Sequence, residues 1–250
     1  MTAMTSRWTP IMASLVLLAA CDAAPGRPVK TSEVLAPNDV VDFRVLYAAN
    51  CAGCHGDQGR GGAAIGLADP VYLAIADDAS IRKVTADGVE GTAMPAFAQS
   101  SGGMLTDAQV EVIAGGIRSW ARPAALAGTV PPPRVATSAG DPTRGAQAFA
   151  TYCASCHGAQ GEGGPSGSAI TNDSFLALVS DQGLRTVIIA GRPDLGAPDW
   201  RGNLPGRPMS DRETTDIVAW LGSQRVQTPG RPYAVPTDAT TRTASGDARR

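Results

Sequence analysis

Val110, Ile113, Ala114 and Ile117 fall on one stripe of a helix, and Ile217, Trp220 and Leu221 repeat that stripe near the end of the chain. Apolar residues spaced by three and four mark one buried helical face. A start signal precedes each stripe: Thr106 with Gln109, and Ser210 with Glu213. In such a pair each side chain satisfies a backbone N–H of the other residue, so a helix begins there. Upstream, the spacing predicts a leading helix over 39–50 and again over 143–152, and a middle helix over 79–86 and again over 182–190. Strand-like alternation is nearly absent, so the prediction is an all-α protein.

The elements come in two sets. Tyr72-Leu73-Ala74 returns as Phe175-Leu176-Ala177, and Ile81-Arg82-Lys83-Val84 returns as Leu184-Arg185-Thr186-Val187. Gly88 returns as Gly191. Each match lies about 103 residues downstream, which is too long a period for a solenoid and points to duplication of a whole domain. The expected plan is a first domain over 38–121, a Pro/Ala-rich linker over 122–141 that Pro131-Pro132-Pro133 stiffens, and a second domain over 142–227. Residues 228–250 are polar and Pro-containing, and are expected to form a disordered tail.

The N-terminus is expected to be a targeting segment. Arg7 precedes ten apolar residues, Ile11 to Ala20, too few to span a bilayer comfortably. Leu18-Ala19-Ala20-Cys21 resembles a bacterial lipobox, whose thiol is lipidated before cleavage. The expectation is a lipoprotein-type signal peptide over 1–20, lipidation at Cys21 and a flexible tether over 21–37. Such a protein is anchored to a membrane rather than spanning it.

Composition raises a question about the core. The chain has only four Phe, four Tyr and four Trp in 250 residues, against 29 Gly and 19 Pro. Large side chains usually fill an interior, so loops or some other group must take their place. The net charge of −2 gives no basic field for a nucleic acid.

The chemistry sits in Cys51-Ala52-Gly53-Cys54-His55 and Cys153-Ala154-Ser155-Cys156-His157. Apart from Cys21 these hold every cysteine, and they hold both histidines. C-x-x-C-H is the attachment signature of a c-type haem. Two thiols three positions apart on one helical turn can add to the two vinyl groups on one porphyrin edge, and the adjacent imidazole then binds iron. A thioredoxin-like pair needs no histidine, and zinc sites space their cysteine pairs about 15–20 residues apart. A structural disulfide explains neither histidine. The glycine-rich stretch after each motif lacks the Gly-Lys-Ser/Thr ending of a phosphate loop.

With leading helix, C-x-x-C-H, loop, Met-bearing segment and terminal helix in each half, the chain resembles a bacterial dihaem cytochrome c. The resemblance implies two small cytochrome c-like domains in tandem, each built around a covalent haem iron, and it accounts for the scarcity of aromatics. Cys51, Cys54, Cys153 and Cys156 would hold the haems, with His55 and His157 as proximal ligands. No histidine remains for a distal position. Met94, in Ala93-Met94-Pro95, resembles the family's Met-Pro distal ligand. Met104 is expected to pack. The second half departs from the pattern, with Ala197 aligned to Met94, and Met209 is expected to reach the second iron over a longer loop. The carbonyls of Ala63 and Pro165 are expected to orient the two imidazoles. Trp200, Arg201, Arg192 and Arg207 are candidates for packing against the second haem or meeting its propionates.

The implied function is electron transfer on the periplasmic face of a bacterial cytoplasmic membrane. It would run between a quinol-oxidising complex or dehydrogenase and an oxidase or soluble cytochrome of the respiratory chain. No small-molecule substrate and no substrate chemistry of its own are expected. The alternatives are a cytochrome subunit of a larger oxidoreductase, or a ligand-binding or sensor haem protein if the second haem lacks a methionine ligand.

Overall fold

A computed structural model describes residues 35–226. The expected signal peptide, Cys21, most of the tether and the tail from 228 onward lie outside the described residues. Residues 35–39, with a 3-10 turn at Pro37–Asp39, belong to one unit, and residues 40–226 belong to a second.

Ten α-helices and no strand occur among the described residues, as the sequence predicts. They fall into two sets of five. The first set is α1 (Phe43–Asn50), α2 (Ala52–His55), α3 (Pro70–Ile75), α4 (Asp78–Asp87) and α5 (Asp107–Arg118). The second is α6 (Pro142–Tyr152), α7 (Ala154–His157), α8 (Asp173–Leu178), α9 (Asp181–Ala190) and α10 (Asp211–Ser223).

Caps fix these boundaries. The leading helix starts at Phe43 rather than at 39, because the Asp42 carboxylate accepts the N–H of Val45 at 3.0 Å. Both reciprocal caps form, Thr106 with Gln109 at the start of α5 and Ser210 with Glu213 at the start of α10. The short helices α3 and α8 escape a reading by periodicity, since six residues carry little of it. Their caps are nonetheless written in the chain: Asp69 accepts from Val71 and Tyr72, with Pro70 in the first turn, and Asn172 accepts from Ser174 and Phe175.

In each set the first and last long helices cross at a glycine. Gly116 on α5 lies against the Phe43 ring of α1, and Gly145 on α6 lies against the Asp216 backbone and the Trp220 side chain of α10. A Cβ at either position would overlap its neighbour, so glycine allows the close approach. Aromatics seal both crossings: Tyr47 and Trp120 meet edge-on at 5.1 Å in the first set, and Phe149 and Trp220 stack at 4.3 Å in the second. The second crossing is also held by charge. Asp216, with its side chain 3% exposed, accepts from Arg144 Nε at 2.8 Å, from Arg144 Nη2 at 3.0 Å and from the Asp141 N–H at 2.7 Å.

The two halves share a wall. Val71 of α3 and Leu126 of the connecting segment are buried in the same apolar cluster as Phe149, Leu176, Ile217 and Trp220. Ile65 and Tyr72 border the clusters of both halves. The connecting segment is fastened as well. It makes a 3-10 turn at Pro123–Leu126, and the buried Arg185 of α9 donates to the carbonyls of Pro133 and Arg134 while pairing with Asp211 and Thr215.

Candidate functional site

The two C-x-x-C-H stretches fold alike. Cys51 ends α1, its N–H bonded to the Tyr47 carbonyl at 2.8 Å, and Cys153 ends α6 on Phe149 at 2.8 Å. One turn then winds back on each first cysteine: His55 N–H reaches the Cys51 carbonyl at 3.0 Å, and His157 reaches that of Cys153 at 3.0 Å. Within each pair one sulfur is shielded and the other is open. Cys51 is buried and Cys153 half-buried, whereas Cys54 and Cys156 are exposed. Burial pushes the Cys51 thiol up to about 11 and the Cys153 thiol up to about 12, each helped by the neighbouring cysteine. No group of three or more His, Cys, Asp or Glu able to hold a bare metal ion is brought together among the described residues.

Each histidine is oriented by a backbone carbonyl. His55 Nδ1 donates to the Ile65 carbonyl at 2.8 Å, and His157 Nδ1 donates to that of Ser168 at 2.8 Å. A carbonyl can only accept, so Nδ1 carries a proton, and in the neutral ring this tautomer leaves the Nε2 lone pair that an iron ligand requires. The expected carbonyls, those of Ala63 and Pro165, are not the partners. The loops run two to three residues further before turning back, and the Ala63 carbonyl instead accepts from Arg192 at 3.2 Å. Burial holds the His55 imidazole below its ordinary 6.5; the Ile65 carbonyl opposes this and Arg192 adds to it. At neutral pH that ring is a neutral base.

Two thiols on one turn and an imidazole with a directed lone pair match the donor chemistry of a covalently bound haem. The residues of both halves fit that group.

The segments before α5 and α10 share several backbone bonds. After α4, Gly88 sits at φ +67° and its position crowds Met94, Pro95 and Ala96; after α9, Gly191 sits at φ +69° and crowds Pro198 and Asp199. Val89 N–H donates to the Met94 carbonyl at 2.9 Å, and Arg192 N–H donates to that of Ala197 at 2.9 Å. Leu105 N–H donates to Phe97 at 2.8 Å, and Met209 N–H donates to Trp200 at 2.8 Å. Ala197 therefore holds the place of Met94, and Met209 holds that of Leu105. Each of the latter stands one residue before its N-cap and is buried, Leu105 6% and Met209 3% exposed. Met209, expected from the sequence to reach the second iron, is buried in the apolar cluster with Trp200 and Ile217. Met104, expected to pack, is 80% exposed, because the turn ending at Gly102 and Gly103 carries it outward.

The candidate arginines already have partners. Arg201 chelates Asp199 and lies 4.7 Å over the Trp200 ring, which is itself buried. Arg207 pairs with Glu213 at 2.9 Å and lies 5.4 Å over Tyr152. Arg192 pairs with Asp194 and donates across the halves to the Gly62 carbonyl at 2.6 Å. That cross-link is invisible in the sequence, since an arginine in a loop reads as a solvated charge.

The family model described as "Cytochrome C oxidase, cbb3-type, subunit III" matches residues 38–115 and 140–221. Among solved structures, a chain of the reducing HAO-like protein complex Kustc0457/Kustc0458 of Kuenenia stuttgartiensis is similar at 17% identity and a TM-score of 0.43. That match covers 77% of this chain and 100% of that one. Thiosulfate dehydrogenase (TsdBA) from Marichromatium purpuratum is similar at 21% identity and a TM-score of 0.29, over 89% of this chain and 55% of that one. No curated protein matches the chain.

Proposed function

The chain belongs to the family of cytochrome c oxidase, cbb3-type, subunit III, and from that premise we propose that it holds two c-type haems and relays electrons at the outer face of a bacterial cytoplasmic membrane. Cys51 and Cys54 would hold one haem and Cys153 and Cys156 the other, with His55 and His157 as proximal ligands and Met94 as the distal ligand of the first. When bound, haem iron supplies a one-electron couple, and a methionine ligand raises its potential. The protein's contribution is to fix each imidazole through Ile65 or Ser168, which sets the tautomer and strengthens the base.

The observation that carries the reading is the pair of C-x-x-C-H turns, each with an imidazole held through Nδ1 and offering Nε2. A lipid on Cys21 would restrict the domains to a thin layer near membrane partners and raise their effective concentration there. Those partners would be a quinol-oxidising complex or dehydrogenase on one side and an oxidase or soluble cytochrome on the other. The protein acts as their carrier or as a bound electron-transfer subunit.

The test is mass analysis of the purified chain after extraction with acidified organic solvent. Two retained haem masses are expected, and fewer would refute the reading. Replacing Cys21 with serine should move the protein from the membrane fraction to the soluble one; unchanged fractionation would refute the anchor.

A further inference from the structure

We infer that the second haem has no protein ligand on its distal side and presents an open iron there to a small diatomic ligand such as carbon monoxide or nitric oxide. This rests on the proposed attachment of haem to Cys153, Cys156 and His157. The position that carries the thioether in the first half carries only a methyl group in the second, at Ala197. The match is set by backbone bonds rather than by alignment. Gly88 and Gly191, Val89 and Arg192, Phe97 and Trp200, and Leu105 and Met209 make the same contacts in the two halves.

Among the described residues of the second half no other side chain is poised to take the role. The Ala197 backbone is locked by two hydrogen bonds, its N–H donating to the Arg192 carbonyl at 3.0 Å and its carbonyl accepting from the Arg192 N–H at 2.9 Å. The loop therefore cannot easily swing a neighbour into place. The carboxylates beside it are engaged, Asp194 by Arg192 and Asp199 by Arg201. The second half has no further histidine and no lysine. Its one methionine, Met209, does the work of Leu105: as the residue before an N-cap it packs into the core under the first turn of the last helix. The first haem is capped and the second is open, so the chain is chemically asymmetric although its fold is duplicated. Whether an iron only passes electrons or also binds small ligands is decided by access to its distal side.

The test uses the full chain, first shown by mass to carry two haems. The reduced protein is titrated with carbon monoxide, and the far-red Met–iron charge-transfer band of the oxidised protein is measured. One carbon monoxide per chain and one methionine-ligated site are expected. The Ala197→Met variant should lose carbon monoxide binding and gain a second methionine-ligated site. Met209→Leu, which places in the core the residue that serves there in the first half, should change neither. No carbon monoxide uptake, two per chain, or loss of a methionine-ligated site in Met209→Leu would each overturn the inference. A chain found to carry a single haem would instead overturn the attachment reading beneath it.

Discussion

Arg192 donates to the Gly62 carbonyl at 2.6 Å, so a loop of the second half is tied to the backbone seven residues beyond the first histidine. The same guanidinium reaches the Ala63 carbonyl and is neutralised by Asp194. It thereby joins the segment that holds Ala197 at the place of Met94 to the loop that orients His55.

Replacing Arg192 with alanine leaves two carbonyls and a carboxylate short of a donor. Hydrogen bonds to charged groups contribute about 1.5–3 kcal/mol. The variant should unfold earlier in urea by a free energy in that range. An unchanged midpoint would show the bridge to be decorative.

The helix crossings predict opposite outcomes for two glycines. Gly145→Ala should destabilise by about 1–3 kcal/mol or more, because the new methyl overlaps the Asp216 backbone and the Trp220 side chain. Gly115→Ala meets nothing within 4 Å on an exposed helical face and should stabilise by about 1 kcal/mol. Thermal denaturation of the two variants side by side measures both.

Acid should loosen the second half through Asp216. Its contacts with Arg144 hold the carboxyl below the ordinary 3.8, against the opposing effect of burial. Stability from this group is therefore full above pH 3.8 and fades as the pH falls through the lower folded value. Asp216→Asn should cost stability at pH 7, and the gap to the parent protein should narrow in strong acid. Urea midpoints across the pH range give the comparison, and a gap independent of pH would refute the assignment.

Gly167 stands behind the second imidazole. A Cβ there would come within 2.9 Å of His157 Nδ1 and 2.7 Å of the Cys156 carbonyl oxygen. Gly167→Ala should disturb the His157–Ser168 bond and lower haem retention towards one per chain, as counted by mass. Gly115→Ala, whose Cβ meets nothing within 4 Å, should leave haem retention at two per chain and serves as the control.

The helical class, the duplication and both reciprocal caps were legible in the sequence because each depends on neighbours a few residues apart. The C-x-x-C-H turns were legible for the same reason. What the sequence hid was tertiary. The carbonyls of Ile65 and Ser168 belong to no motif, and any backbone oxygen at the right place could serve. The burial of Met209, which stands before a helix cap as Leu105 does, depends on the packing of the last helix. The alignment of Met94 with Ala197 was legible because the loop length between Gly88 and Met94 is preserved between Gly191 and Ala197. The partners of Arg185 and Arg192 are distant carbonyls that no local pattern announces.

The wall shared by the halves limits how the chain can be divided. Val71 and Leu126, contributed from the first half and the connecting segment, complete an apolar interior that otherwise belongs to the second. A cut near residue 130 would strand those side chains on the wrong fragment and bare a greasy face on its partner. The two copies of the module thus lean on one another, and removing either would uncover part of the other's interior.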